Sequence, residues 1–176
     1  MKILQWALAL VGTLALLAVA VGFFLPSTFE VKRMVEIQAP PARVYDLVAD
    51  PRLWNKWSSW NRKDPQMDVS YAGPSFGQGA KWAWKSRTQG NGSMEFTRVE
   101  PNARIEYSLF FPDYGMKSAG VFLFEPAGNG TRVTWTNAGD FGGNPLKHYL
   151  AVGMDRIVGP DFEEGLRNLK AVAEKP

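Results

Sequence analysis

The chain has 176 residues, of which 45% are hydrophobic and 21% charged, which is ordinary for one globular domain with a short appendage. The net charge of +3 comes from basic and acidic residues that are interspersed, so we expect no nucleic-acid binding. The lack of cysteine excludes disulfide bonds, thiol catalysis and thiolate-bound metals. Because there is also only 1 histidine, we expect no transition-metal site and no cofactor.

The N-terminal stretch is apolar. Ile3 to Leu25 carries no charged residue and is long enough to cross a bilayer as one helix. We therefore predict that residues 1–28 form an uncleaved membrane anchor and a short linker in a single-pass protein. Two alternatives stay open, namely a signal peptide cut near Ala18-Val19-Ala20 and a buried globular helix. The charges on the two flanks are balanced, so they do not decide which side of the membrane holds the rest of the chain.

Residues 29–176 are predicted to form one α+β domain. Alternating apolar residues predict a first strand over Phe29–Ile37, followed by a helix from Pro41 to Asp50 and a second short helix over Arg52–Trp60. Six further strands separated by turn residues are predicted at Met67–Tyr71, Ala80–Arg87, Ser93–Val99, Arg104–Phe111, Met116–Phe124 and Thr131–Thr136. The short turns favour an antiparallel meander, and the segregation of strands from helices defines the α+β class.

The C-terminal segment predicts a long helix that starts with Asn144 as its cap and Pro145 at the first helical position, and ends near Glu174. Gly159-Pro160 should break or kink this helix, because proline has no N–H for the carbonyl one turn back. Apolar residues recur at three- and four-residue spacing, and we expect them to pack on the sheet: Leu146, Leu150, Met154, Ile157, Val158, Phe162, Leu166, Leu169 and Val172.

One face of the predicted sheet is apolar and aromatic, and the other is polar. We predict that the apolar face, together with the long helix, lines a pocket for a small hydrophobic ligand. The predicted ligand-binding residues are Trp82, Trp84, Met94, Phe96, Tyr107, Leu109 and Trp135 on the strands, and Met154, Ile157 and Val158 on the helix. The alternative is that the same side chains simply fill the core.

Several other residues have two interpretations each. The three tryptophans Trp54, Trp57 and Trp60 either pack the short helices onto the sheet or form the lip of a portal. Arg98 follows Phe96 by alternation and would face the pocket, unless a slip at the strand end turns it to solvent. The single histidine, His148, is expected to be exposed, because a helical wheel places it away from the leucines of the helix.

Six short sequence motifs occur in this order of elements. They are Val35-Glu36-Ile37-Gln38-Ala39-Pro40 followed by Val44-Tyr45, the spaced set Asp50, Trp54, Trp57-Ser58 and Trp60, then Tyr71-Ala72-Gly73-Pro74, Val99-Glu100-Pro101-Asn102, Val133-Thr134-Trp135, and Gly159-Pro160-Asp161-Phe162-Glu163. With them the chain resembles the START-like (SRPBCC) superfamily, and most closely the membrane-anchored members of the polyketide cyclase/dehydrase and lipid-transport family. The resemblance implies a helix-grip fold, in which an antiparallel sheet wraps around the C-terminal helix with a cavity between them. It also implies a bacterial protein, whose anchor would lie in the inner membrane.

Members of this superfamily bind lipids, sterols, polyketides, quinones or plant hormones, and a minority are cyclases. We therefore expect a membrane-tethered, non-catalytic protein that binds a small hydrophobic ligand or lipid. A second hypothesis is an enzyme similar to a polyketide cyclase or aromatase, in which Tyr107, Arg98 or Asp155 would assist proton transfer. A third is a membrane-anchored protein-interaction module that uses the edge formed by Trp57 and Trp60.

Overall fold

A computed structural model describes residues 2–175, so the outermost residues of the predicted anchor and domain, 1 and 176, lie outside the described range. The helices are α1 (Lys2–Gly22), α2 (Pro41–Ala49), α3 (Ser59–Lys63) and α4 (Pro145–Ala173), with 3₁₀ helices at Pro51–Lys56 and Pro112–Tyr114. The strands are β1 (Thr28–Ile37), β2 (Asp68–Ala72), β3 (Lys81–Lys85), β4 (Gly92–Glu100), β5 (Arg104–Phe111), β6 (Met116–Ala127) and β7 (Gly130–Asp140). The first 3₁₀ helix and α3 are called the tryptophan cap below, residues 51–63.

The strands form one antiparallel sheet in the order β1-β7-β6-β5-β4-β3-β2. The predicted α+β class is confirmed, since a seven-stranded antiparallel sheet is combined with a long C-terminal helix. The first strand pairs with the last, so β1 lies beside β7 and forms one edge of the sheet. The short strand β2 forms the other edge. This order places the helix that follows β7 next to the β1 end of the sheet.

The C-terminal half of α4 packs on the sheet through one aromatic stack. The ring centroid of Phe162 lies 3.9 Å from that of Trp135 on β7, and the two planes differ by only 13°. Leu166 and Leu169 are fully buried beside them, and Gly165 brings the helix backbone close to the same indole. The helix therefore covers the β1–β7 side of the sheet, and this part of its predicted apolar face is confirmed.

The N-terminal half of α4 is oriented differently from the prediction. Leu146, Leu150 and Ile157, which were expected on the sheet, are exposed by 55%, 49% and 59%. His148 and Ala151 are buried instead, so the expectation that the histidine is exposed was wrong. Steps of four residues advance about 40° around a helix of 3.6 residues per turn, so Leu146 lies about 160° from Phe162 and the predicted residues do not share one face. The side of α4 that carries Phe162 also carries His148 and Ala151, and this side meets the sheet.

The expected interruption at Gly159-Pro160 does not occur, because α4 continues through Pro160, whereas a kink of the helix axis there stays a prediction. Arg33 on β1 contacts the helix on both sides of this proline. Its Nη1 donates to Asp155 Oδ1 at 2.7 Å, and its Nε donates to Glu163 Oε1 at 2.6 Å. The guanidinium lies against Gly159, where a Cβ would overlap it. One cation on the sheet thus binds the helix on both sides of the residue that lacks an N–H.

Replacing Phe162 with alanine should test the stack that holds α4 on the sheet. We expect Phe162→Ala to lower the free energy of unfolding by about 3 to 5 kcal/mol, because it leaves a cavity under a fully packed helix. Urea unfolding of the full chain in detergent, followed by near-ultraviolet circular dichroism, measures this loss. Val152→Ala on the exposed side of α4 is the control and should stay within about 0.5 kcal/mol. An equally small effect of Phe162→Ala would contradict the proposed packing.

Candidate functional site

The cavity lies at the opposite end of the sheet from α4. It has a volume of about 120 Å³ and is enclosed by the inner face of β2 to β5 and by the tryptophan cap. The residues that line it are Pro51, Trp54, Ser58, Trp60, Asn61, Met67, Val69, Tyr71, Trp82, Trp84, Gln89, Met94, Leu109 and Phe111. No residue of α4 is among them, so this cavity does not lie between the sheet and the C-terminal helix, and the expected site there stays a prediction.

Trp54 separates this cavity from the packed core. Its indole N–H donates to the carbonyl of Val48 at 2.8 Å, which fixes the ring against the end of α2. On the core side its centroid lies 4.6 Å from that of Trp57 and 6.1 Å from that of Trp135. Trp82, at 4.9 Å, belongs to both regions, since it is buried and also lines the cavity. The aromatic rings therefore form a continuous wall across the sheet.

The ten predicted ligand-binding residues are divided by this wall. Trp82, Trp84, Met94 and Leu109 line the cavity, on β3, β4 and β5. The other six do not line it: Phe96, Tyr107 and Trp135 are fully packed in the core, and Met154, Ile157 and Val158 lie on α4. Phe96 lies directly behind the lining, with its ring centroid 5.2 Å from that of Trp82, and is packed in the core. None of the six is part of the wall of this cavity.

Part of the lining was not among the predicted residues. Val69 and Tyr71 on β2 share the face of Trp82, and Gln89 comes from the turn after β3. The alternation of Val69 and Tyr71 was a usable signal, but β2 has only 5 residues and an otherwise exposed pattern. Trp54 and Trp60 were assigned to packing or to a portal, and the structure gives them both a packing and a lining position.

The lining is chemically uniform. Aromatic and aliphatic side chains dominate, and the polar members are Ser58, Asn61 and Gln89, together with the hydroxyl of Tyr71. None of the described lining residues is charged. Tyr71 is 40% exposed, so one wall reaches the surface, and the guanidinium of Arg52 lies 5.0 Å above its ring. Burial raises the pKa of the Tyr71 phenol. Such a surface favours apolar and aromatic contacts over ionic ones.

Trp84 owes its position to a glycine on the neighbouring strand. Its indole lies over Gly92, where a Cβ would overlap the ring, and it makes an edge contact with Phe111 at 5.8 Å. Gly92 pairs with Trp84 across β3 and β4, so the missing side chain leaves the space that the indole fills. This glycine therefore shapes one wall of the cavity.

Tyr107 is a buried structural group. Its hydroxyl oxygen accepts hydrogen bonds from Trp135 Nε1 at 2.8 Å and from Asn137 Nδ2 at 3.3 Å. Complete burial holds the pKa of this phenol well above its usual range. The side chain also lies over Gly120, where a Cβ would overlap it. The phenol thus fixes the indole that carries the α4 stack and has no access to the cavity.

Arg98 and Asp155, the other two candidates for proton transfer, are also bound elsewhere. The pairing of β4 with β5 shifts between Phe96 and Arg98, and this irregularity turns the arginine outward to pair with Glu100 at 2.6 Å. The alternative that Arg98 faces solvent is therefore the correct one. Asp155 binds Arg33, which lowers the pKa of its carboxyl group. The three groups lie in separate parts of the fold.

Comparison with known proteins defines the class. The sequence profile of the family described as polyketide cyclase / dehydrase and lipid transport matches residues 28–174. The chain therefore belongs to this family. Uncharacterized proteins of Mycobacterium bovis and Mycobacterium tuberculosis are 25% identical over 157 residues, which is 86% of this chain and 89% of each relative.

Solved structures share the fold at low identity. A protein of Chromobacterium violaceum is 19% identical with a TM-score of 0.56, covering 85% of this chain and 99% of the other. A protein of Mesorhizobium loti is 20% identical with a TM-score of 0.58, covering 83% and 99%. The di-domain ARO/CYC protein BexL is 19% identical with a TM-score of 0.60, and the match covers 85% of this chain and 51% of BexL. At these identities the likeness extends to the fold alone.

Tyr107→Phe should show that the phenol is structural. Two buried N–H groups lose their acceptor, so we expect the free energy of unfolding to fall by about 1 to 3 kcal/mol at neutral pH. The raised pKa means that the folded chain keeps the phenol neutral while the unfolded chain ionises it near pH ~10. Stability contributed by the neutral phenol is therefore present below about pH 10 and is lost as the pH rises further. The variant should lose stability less steeply over this alkaline range, and unfolding curves of both chains across it would show this.

Gly92→Ala should alter the cavity wall directly. The added methyl group displaces the Trp84 indole, and we expect overpacking to cost about 1 to 3 kcal/mol and to change the near-ultraviolet circular dichroism. Gly153→Ala on α4 is the matched control, because its Cβ would lie in ordinary contact, 3.5 Å from Ile157 Cδ1. An unchanged tryptophan spectrum in Gly92→Ala would contradict the contact.

Proposed function

We propose that this protein binds a small apolar ligand, about the size of one aromatic ring, in the cavity under the tryptophan cap, and that α1 tethers it to a membrane. The observation that carries the proposal is the cavity itself, which is apolar, aromatic and open along Tyr71. Its few polar groups, such as Asn61 and Gln89, are suited to orienting a ligand that has one polar substituent.

The volume of the cavity supports a small ligand. An apolar cavity of about 150 Å³ in another protein holds benzene, whereas sites for drug-sized molecules occupy about 300 to 1,000 Å³. The cavity here, at about 120 Å³, is close to the first case. A lipid chain or a polyketide would have to leave most of its length outside or displace the tryptophan cap. Of the two expected ligand classes, a small hydrophobic molecule is therefore favoured over a lipid.

The composition of the lining supports binding rather than catalysis. General acid–base chemistry needs a titratable group within hydrogen-bond reach of the reacting atom. The three groups considered for this role, Tyr107, Arg98 and Asp155, are bound elsewhere, and none of them lines the cavity. Tyr71 is the one titratable side chain among the described lining residues, and it lacks a second titratable group in the lining with which to exchange a proton. The fold shared with the di-domain ARO/CYC protein does not by itself assign cyclase chemistry to this chain.

The helix α1 supports a permanent tether. It is long and apolar enough to cross a membrane, with a mean hydropathy of 2.2, a property that signal sequences share. Its last turn has specific contacts with the domain. Tyr149 Oη donates to the carbonyl of Ala18 at 2.8 Å, and Gly22 packs against Pro145 so closely that a Cβ would overlap it. Cleavage after Ala20 would remove the first of these contacts, so they favour an uncleaved anchor.

Filling the cavity should abolish binding of a ring-sized probe. We expect toluene to bind the full chain in detergent, as measured by ligand-observed nuclear magnetic resonance, and Leu109→Trp to weaken binding at least about tenfold. The larger side chain would occupy the space that the probe needs. Phe110→Trp is the control, because the adjacent residue lies on the outer face of the sheet and should leave toluene binding unchanged.

Palmitate tests the lipid alternative on the same samples. If palmitate binds tightly, displaces toluene and is itself lost in Leu109→Trp, the ligand class is a lipid and the size argument is wrong. If neither probe binds, and no apolar molecule is found by native mass spectrometry and solvent extraction of the purified chain, the proposed binding function fails.

A further inference from the structure

The first half of α4 carries an apolar stripe that the described residues leave uncovered. Leu146, Leu150, Gly153 and Ile157 follow one another at spacings of four, three and four residues, so they lie on one side of the helix. The three large side chains are about half exposed or more. On the opposite side, Ala151 is buried, and Asp155 binds Arg33.

This arrangement differs from that of an ordinary surface helix. A helix at a protein–water boundary buries its large apolar residues and exposes its polar ones. Here Ala151 is buried and Met154 and Val158 pack partly against the core, while the large residues Leu146, Leu150 and Ile157 face away from the protein. Contiguous exposed apolar residues of this kind mark a surface that contacts a membrane or another protein.

The contacts between α1 and α4 indicate whether this apolar stripe contacts a membrane or another protein. Tyr149 is bonded to Ala18, about one turn before the end of α1. The ring nitrogens of His148 lie 2.8 Å from the carbonyl oxygens of Gly22 and Gly142, which joins the end of α1 to the loop before α4. The start of α4 is therefore held beside the last turn of an apolar helix that is long enough to cross a bilayer.

Residues around this junction extend the apolar surface. Phe23 and Phe24, which follow α1 directly, are 65% and 87% exposed. Lys147 and Arg156 are exposed on the two flanks of the stripe. Aromatic side chains and flanking cations are typical of segments that lie at the boundary between lipid headgroups and acyl chains.

We infer that the stripe of Leu146, Leu150 and Ile157 rests on the surface of the same bilayer that α1 crosses, with Lys147 and Arg156 facing anionic headgroups. This inference rests on the membrane tether in the proposed function and is independent of the ligand cavity. A lipid surface is favoured over a second copy of the chain because the stripe is continuous with Phe23, Phe24 and the exposed side of α1. The soluble domain would then lie along the membrane on α4.

The experiment uses single cysteines, since the natural chain has none. Leu150→Cys and Ile157→Cys each carry an environment-sensitive fluorophore on the stripe. Ser70→Cys, on the exposed face of β2, is the control, and Gly12→Cys, which has open space around it, reports insertion of α1. The full chain is reconstituted in vesicles of phosphatidylethanolamine with a minor share of phosphatidylglycerol and of doxyl-labelled phosphatidylcholine.

We expect the lipid-borne quencher to reduce the fluorescence at residues 150, 157 and 12 several-fold more than at residue 70. Adding Leu146→Glu and Leu150→Glu to the chain labelled at residue 157 should reduce quenching there to the level of the control. Toluene binding by the same double variant should be unchanged, which shows that the domain is still folded.

Three results would overturn the inference. Strong quenching at residue 12 with none at residues 150 and 157 means that α1 is inserted and the stripe is off the membrane. Energy transfer between labels on different chains, without lipid quenching, means that a second copy covers the stripe. If residue 12 is not quenched, α1 is not inserted in the bilayer, and both this inference and the membrane part of the proposed function are wrong. Toluene binding tests the cavity separately.

Discussion

The stack of Phe162 on Trp135 is the constraint on which the other features depend. The indole is fixed from below by the buried Tyr107 hydroxyl and from above by a helix that approaches closely at Gly165. This stack fills the space between α4 and the β7 side of the sheet, and the cavity lined by β2 to β5 lies away from it. Trp54 and Trp57 extend the same packed layer toward α2. The free volume is therefore displaced to the strands that α4 does not reach.

The displacement of the cavity decides what it can hold. A cavity between a sheet and a 29-residue helix would be long and would suit an extended chain. A space covered only by the tryptophan cap is short. Its walls are aromatic side chains whose positions are fixed by local contacts, such as that of the Trp84 indole with Gly92. The proposed ring-sized ligand therefore depends on the volume of this cavity and not on the family, because a fold does not determine what it binds.

Sequence patterns predicted the elements well and their mutual arrangement less well. The alternation of apolar residues and the turn residues between them located every strand. The Asn144-Pro145 pair located the start of α4, where the side chain of Asn144 accepts a hydrogen bond from the Leu146 N–H at 3.0 Å. The outward turn of Arg98 depends on a partner distant in sequence, because it comes from a pairing irregularity with β5. The orientation of α4 follows from helix geometry that the grouping overlooked. Each step of four residues advances about 40° around a helix of 3.6 residues per turn, so Leu146 and Phe162 lie about 160° apart, on nearly opposite sides.

The helix α4 connects the end of α1 with the tryptophan cap that covers the cavity. Its first half contacts α1 through Tyr149, and its second half holds the tryptophan cap, since Asn168 Nδ2 donates to the carbonyl of Trp57 at 3.0 Å and its Oδ1 accepts from Arg62 at 2.8 Å. Asp161 adds an ion pair with Lys63. A single helix therefore sets the position of the cavity roof relative to the end of α1. If α1 crosses a bilayer, the opening of the cavity has a fixed direction relative to the bilayer surface. The contacts between α1 and α4 fix this direction, and the linker after α1 does not have to.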